Sequence, residues 1–479
     1  MTLNKRTFVY ILFFNFTIFL SYSQTYIQGE VTSRGDGVPN VQVTDGFTSV
    51  LTDDKGKYRF LTFQEEGFVY ITTPSGYTIE KKENTIPLFF QSITEGKTVY
   101  NFELIPTRND DKHTFFVQTD VQVSTEKHLT EGYKAVIKDI VGEKTKYKDT
   151  EIFGLDCGDI VGDNHALYPL YLETSKDLNF PVYRTIGNHD MDYYGSTHET
   201  SYKTFSRYFG PPYYSFNKGK AHYVLINNSF FIGRDYFYMG YIDNKTFNWL
   251  QQDLANVTEG SLVFIMMHIP ARSTSTRQPF QYNAKYIANE TTNVQALFNL
   301  LKPYNAHIIT GHTHVNANVE HSENIFEHNT AAASGTWWQG DLCSDGAPRG
   351  YGVYSVDGNN VEWYYKSSGF PANYQFRAYP VGSSPEHPDK IIANVWNWDS
   401  AWTVEWLEDG VSMGCMTQYE GLDPAVIEMC KDKERITSPW IYPSPTKHLF
   451  HAVPNNKKSK LEIKVTDRFG NVYIQQINP

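Results

Sequence analysis

Hydrophobic and polar positions follow two rhythms along this chain. Up to about Thr107 the apolar residues alternate with polar ones in short segments at 26–31, 41–44, 58–62 and 68–72. Turns such as Arg34-Gly35-Asp36-Gly37 and Asp53-Asp54-Lys55-Gly56 separate these segments. A two-residue period broken by Gly and Asp predicts a small β-sandwich over 25–106. Beyond the polar linker Pro106-Thr107-Arg108-Asn109-Asp110-Asp111 the apolar runs become continuous, at 115–119, 152–157, 181–186, 222–227, 262–267 and 306–310. Longer polar or amphipathic stretches lie between them, and that alternation predicts an α/β sandwich over 113–366. Two runs around the turn Asp357-Gly358-Asn359-Asn360, at 350–354 and 361–365, are expected to close it.

A Pro-, Gly- and Ser-rich stretch at 367–388 leads into a last β-rich segment, 385–479, where Asp467-Arg468-Phe469-Gly470 reads as a hairpin turn. Trp396, Trp398, Trp402 and Trp406 are dense there. Core packing of a second β-sandwich is the favoured reading, with an aromatic carbohydrate platform as the alternative.

With 479 residues and 40% hydrophobic content, three domains or so are expected. Lys5 and Arg6, an apolar run at 8–20 and the small residues Ser21 and Ser23 predict a secretory signal over 1–24, with the mature chain starting near Gln24 or Thr25. That run is shorter than the ~20 residues that span a bilayer, and no Cys follows it to carry a lipid. The expected location is therefore periplasm, outer surface or medium, with no membrane span after cleavage. Losing Lys5 and Arg6 takes the formal charge from −11 to −13, which argues against electrostatic binding to nucleic acid. Of four cysteines, Cys415 and Cys430 are near enough in sequence to pair. Cys157 reads as a free buried thiol, and Cys343 is not assigned.

Candidate chemistry sits at the ends of the continuous runs. Gly158-Asp159 follows Ile152, Phe153, Gly154 and Leu155; Gly187-Asn188-His189-Asp190 follows 181–186. His268 ends the run at 262–267, and Gly311-His312-Thr313-His314 ends the run at 306–310. Ligands of α/β sheets gather at the carboxyl ends of strands. Gly-His-x-His alone would arise in roughly one chain in thirty at ordinary composition, but the ordered set makes accident a poor explanation. It reads as a two-metal phosphoester hydrolase.

On these motifs the chain resembles the calcineurin-like metallophosphoesterases, in an exported three-part form. The resemblance covers most of 113–366 by motif and the flanks by layout. It implies a four-layer αββα sandwich between an N-terminal and a C-terminal β-sandwich. Gly29-Glu30-Val31 and Gly56-Lys57-Tyr58-Arg59-Phe60 further resemble carboxypeptidase-regulatory-like modules, whose expected role here is a spacer or stabilising cap.

The first family motif, Asp-x-His, appears as Asp120-Val121-Gln122, with Gln in place of His. Carried over by position, the resemblance implies that Asp120, Gln122 and His314 hold one metal. Asn188, His268 and His312 would hold the other, with Asp159 bridging. The ions would be divalent or transition metals, Mn, Fe, Zn or a mixture, about 4 Å apart with an activated water between them as nucleophile. Gly162 stands where purple acid phosphatases carry a tyrosine ligand, so an iron–tyrosinate centre is not expected.

His189 is implied as the proton donor to the departing oxygen, with Asp163 as the carboxylate that orients it and Asp190 or Asp192 as alternatives. Trp337, Trp338, Arg349 and Arg272 are candidates to contact substrate, with core or hinge roles equally open. His165, His198, His222 and His328 are placed by no motif. The substrate would be a phosphomono- or phosphodiester of a glycan, lipid or nucleotide. The alternative function is a catalytically inactive envelope or glycan-binding protein on the same fold.

Overall fold

The computed structural model describes residues 25–477 except 65–66, 83, 108, 234–236 and 273–283. The expected signal segment, 1–24, lies outside the described residues. Two mixed sheets form the centre. The first has the order Val182–Arg184, Glu151–Asp156, Lys112–Gln118, Gly350–Asp357, Asn360–Ser367, with its first three strands parallel. The second runs Tyr214–Lys218, Ala221–Leu225, Leu262–Met266, Asn305–Thr310, Ile325–Asn329, Ala317–Ser322.

Alternation along Lys112–Gln118 decides how the layers stack. Phe115 and Val117 point between the sheets, and Phe115 stacks on Tyr354 while meeting Phe264 of the second sheet edge-on at 5.2 Å. Phe116 points the other way, into a core with Val136, Ile137 and Ile140 of the helix Lys134–Glu143 and Tyr171 of the helix Tyr168–Ser175. Across the second sheet lie the helices Asn244–Leu254 and Val294–Leu301. Asp243 caps the former by accepting from the Thr246 N–H, and Trp249, Leu250 and Leu254 bury its inner face. The result is the expected αββα sandwich.

The N-terminal segment forms two small sheets whose core residues Val31, Val43, Ile71 and Leu104 are continuous with the central core. It also caps an open edge. Val182 N–H, on the outermost strand of the first sheet, donates to Thr85 O at 2.9 Å. The buried Arg184 reaches Thr85 Oγ1 at 2.8 Å. An unpaired edge is thereby covered.

The C-terminal segment packs two four-stranded sheets over Trp402, Trp406, Val404 and Ile463. Trp396 is buried and Trp398 packs against the same core, so the tryptophans fill the interior and form no carbohydrate platform. The hairpin pairs Leu461–Thr466 with Val472–Ile477. Cys415 and Cys430 do not pair: Cys415 is exposed on the strand Val411–Cys415, whereas Cys430 ends the helix Pro424–Met429 and is buried with Val426 and Ile436. Cys157 and Cys343 are free and buried. Among the described residues no helix is long and apolar enough to cross a membrane.

Candidate metal centre

Five strands of the two central sheets end at one rim, and each delivers a loop to it. Asp120 and Gln122 follow Lys112–Gln118, Asp159 follows Glu151–Asp156, and Asn188 follows Val182–Arg184. His268 follows Leu262–Met266, while His312 and His314 follow Asn305–Thr310. The loops are tightly wound. Asp120, Gln122, Asp159, His312 and His314 all have left-handed φ, between 40° and 70°, a conformation costing about 1 kcal/mol or more per non-glycine residue. The motif glycines make room for this. A Cβ on Gly187 would collide with Asp159 Oδ1, and one on Gly311 with Asp120 Oδ2.

Seven side chains thus converge, six of them nearly or fully buried. Asp159 is the hub: Oδ1 accepts from His189 N–H at 2.8 Å, and Oδ2 accepts from Gln122 Nε2 at 3.0 Å. His268 Nε2 lies 3.2 Å from Asp159 Oδ2, 3.2 Å from Asn188 Oδ1 and 3.3 Å from His312 Nδ1. On the other side His314 Nε2 lies 3.4 Å from Asp120 Oδ1. Asp159, His268 and His312 present ligand atoms all within 4.8 Å of one another.

Hydrogen placement tests whether this set suits a cation. His268 Nδ1 is 2.8 Å from Cys157 O, an acceptor only, so Nδ1 carries the hydrogen and Nε2 of the neutral ring offers a lone pair. His312 Nε2 meets Asn289 Oδ1 at 3.0 Å, which turns its Nδ1 lone pair toward His268. With His268 neutral, two ring lone pairs, a carboxylate oxygen and an amide oxygen face each other with no hydrogen between them. Gln122 Oε1 and Asp120 Oδ1 are buried with no hydrogen-bond partner. Such a donor set repels itself unless a positive charge sits in it, and mixed N and O donors suit first-row transition metals.

The electrostatics show the same demand for positive charge, met by a proton on His268 when no ion is there. Burial alone would raise Asp159 and Asp120, but His268 and His189 around the former and His314 beside the latter hold both below the usual carboxylate range. Burial opposes a charge on His268, yet Asp159 outweighs it and lifts the ring to about 9. His312 is pushed down to about 3 by burial and by His268.

Three family models match the chain: calcineurin-like phosphoesterase at residues 113–316, its N-terminal part at 25–107 and its C-terminal part at 327–473. The chain belongs to the calcineurin-like phosphoesterase family. Similar solved structures include a dimetal phosphatase from Danio rerio, 14% identical, covering 53% of this chain and 96% of that one with a TM-score of 0.37. A purple acid phosphatase from yellow lupin (Lupinus luteus) seeds is 11% identical, covering 72% of each chain with a TM-score of 0.40. A 5'-nucleotidase from Candida albicans is 14% identical, covering 55% of this chain and 53% of that one with a TM-score of 0.34. No protein of curated function matches.

In this phosphoesterase His189 stands beside the hub, half-buried. Its Nδ1 is 2.7 Å from Asp163 Oδ1. Burial opposes a charge on His189, but Asp159 and Asp163 together raise it to about 9. The alternatives to Asp163 are engaged elsewhere: Asp190 accepts from Gly187 N–H, Ile160 N–H and Tyr168 OH, and Asp192 accepts from Thr204 N–H.

The residues considered for substrate contact face other groups. Trp337 stacks on His314 at 4.2 Å, and Trp338 Nε1 donates to Val121 O between Asp120 and Gln122. Arg349 pairs with Asp341 at 2.8 Å, and Arg272 lies over the Phe298 ring. A Cβ at Gly162 would meet Ser124 Oγ, the end of an exposed side chain.

The histidines outside the motifs are placed too. His222 pairs with Asp253, His328 with His307, His198 accepts from Phe231 N–H, and His165 faces Asp192 and His189 O. Sequence reasoning missed Asn289 behind His312 and the Gly335 carbonyl that accepts from His314 Nδ1 at 3.0 Å. Neither carries a motif; Asn289 only ends the short helix Ala284–Asn289.

Proposed function

We propose that this chain is an exported hydrolase of phosphate mono- or diesters that works with two metal ions. The observation that carries the reading is the convergence of His312 Nδ1, Asn188 Oδ1 and Asp159 Oδ2 on His268 Nε2, each within 3.3 Å. Asn188, His268 and His312 would hold one ion and Asp120, Gln122 and His314 the other, with Asp159 between. Gln122 enters as an oxygen ligand, because its Nε2 is committed to Asp159 and its Oε1 is the free, buried atom. Cations in these places supply Lewis-acid polarisation of a phosphoryl oxygen and of the attacking water.

The chain's own residues do the rest. His189 N–H fixes one oxygen of Asp159, so the loop that carries the proton donor is tied directly to the hub. Asp163 accepts from His189 Nδ1, which leaves Nε2 to hand a proton to the leaving oxygen. Export is supported by the basic, apolar and small-residue pattern of 1–24. The substrate proposed is a phosphate ester of a glycan, lipid or nucleotide.

The test is turnover of bis(p-nitrophenyl) phosphate and p-nitrophenyl phosphate by protein loaded with Mn, Fe or Zn, before and after chelation. Metal-dependent, chelator-reversible hydrolysis is expected. A metal-loaded protein that turns over neither ester would overturn the reading in favour of a binding role.

A further inference from the structure

The two halves of the metal centre are anchored in different parts of the chain. His268 and His312 are held from behind by Cys157 O and Asn289, and the Asn188 carbonyl accepts from Tyr193 OH. The Asp120–Gln122–His314 half is instead pinned by the segment 333–338. Ala333 N–H donates to Thr119 O and Trp338 Nε1 to Val121 O, Gly335 O orients His314, and Trp337 covers its ring.

That segment continues into 339–349, and there the C-terminal module takes hold of it. Asp345, fully buried, accepts from Asn316 N–H at 2.7 Å, two residues beyond His314, and from Ala347 N–H at 2.9 Å. Its Oδ2 also lies 3.1 Å from Nε2 of the buried His448, on the C-terminal strand Thr446–Ala452. Asn394 commits its amide nitrogen to Asp345 O and to Asp423, so its oxygen faces His448 Nδ1 at 2.7 Å. Ser444 N–H donates to Ser344 O, and Arg377 donates to Gly346 O.

We infer that His448 is a positioning residue through which the C-terminal module sets the metal affinity of the Asp120–Gln122–His314 half, while leaving the other half untouched. The inference rests on the two-metal reading proposed above. A short chain of contacts, from His448 to Asp345 to the Asn316 N–H, fixes the exit of the Gly-His-Thr-His loop. Without it the left-handed turn at His314 loses its far support. Nothing from beyond residue 366 plays this role among the contacts of His268, His312 and Asn188 described above.

The test is Mn²⁺ titration by calorimetry of the full chain, with the step lost in H314A marking the Asp120 half. In H448L the affinity of that step should fall about tenfold or more, as for outer-shell partners of metal ligands, while the other step moves less than twofold. H448Q, which keeps a donor toward Asp345, should recover most of the loss. V404A, in the core of the C-terminal sheets, should lower the melting temperature without separating the two affinities.

If H448L does not fold, D345N reports on the same contact from the other side. Equal weakening of both steps, or no weakening of either, overturns the inference. A wild-type chain that takes up a single ion overturns the two-metal reading and this inference with it.

Discussion

Replacing Asp163 by Asn isolates the one contact that orients the proton donor. Asp163 Oδ1 lies 2.7 Å from His189 Nδ1, and its side chain is 52% exposed. A hydrogen bond to a charged partner contributes roughly 1.5–3 kcal/mol when buried. Exposure of the carboxylate screens about half of that, leaving about 0.75–1.5 kcal/mol. Because Asn still accepts through its oxygen, the ring keeps its direction and loses mainly the stabilisation of its charged form. Asp163→Asn should therefore lower kcat about four- to twelvefold with KM little changed.

His189→Ala removes the donor itself and should cost on the order of 10² to 10⁴. The assay is steady-state hydrolysis of p-nitrophenyl and alkyl phosphate esters by metal-loaded protein, with metal content measured on the same samples. Both losses should be larger for the alkyl leaving group, whose oxygen needs the proton. Equal losses for the two leaving groups, or loss of metal in either variant, would refute a proton-donating role for His189 oriented by Asp163.

Gln122→Ala should weaken the ion held with Asp120 and His314 more than its neighbour, since only that half loses a donor; unchanged affinities by metal titration would remove Gln122 from the ligand set. Gln122→His should keep substantial activity with a changed metal preference, read from turnover under Mn, Fe and Zn. Acid should destabilise the chelated protein through buried neutral histidines. Burial pushes His113 down to about 4 between Asp110 O and Tyr223 OH, and His307 to about 4 through burial and Arg468. The unfolded chain binds these protons near 6.5, so stability is intact above that pH and falls between 6.5 and 4, by about 2 kcal/mol for His113 at pH 5. Urea midpoints that stay flat from pH 7 to 5 would contradict this.

The candidate metal site was legible in part because Asp159, Asn188 and His312 each follow a glycine that the tight turns require. Gly187 and Gly311 stand where a Cβ would strike a ligand carboxylate, so the tetrads record backbone shape as well as chemistry. The sheets were legible for a similar reason: runs such as 262–267 are buried along their whole length, and few other structures accept them. What stayed hidden acts through direction and distance. Trp337 and Trp338 come two strands after the Gly-His-Thr-His loop in the chain, and left-handed φ at both turns their rings back onto His314 and Val121.

Asn289 and the Gly335 carbonyl support ligands from segments with no pattern of their own. Cys415 and Cys430 looked pairable by spacing, yet one ends an exposed strand and the other is buried at the end of a short helix. Hydrophobic period likewise gave no sign that the loop near Thr85 covers the edge of the catalytic sheet.

The central claim, that one carboxylate is shared by two ions, is tested most directly by metal stoichiometry in Asp159→Asn. Asp159 touches Gln122 and His268 through Oδ2 and the His189 N–H through Oδ1, so both halves of the site meet on this one carboxylate. Purified wild-type protein should carry close to two transition-metal ions per chain by mass spectrometry, and Asp159→Asn should lose most of both together with activity. Full occupancy in Asp159→Asn, or wild-type protein that binds no metal under loading conditions, would contradict the account.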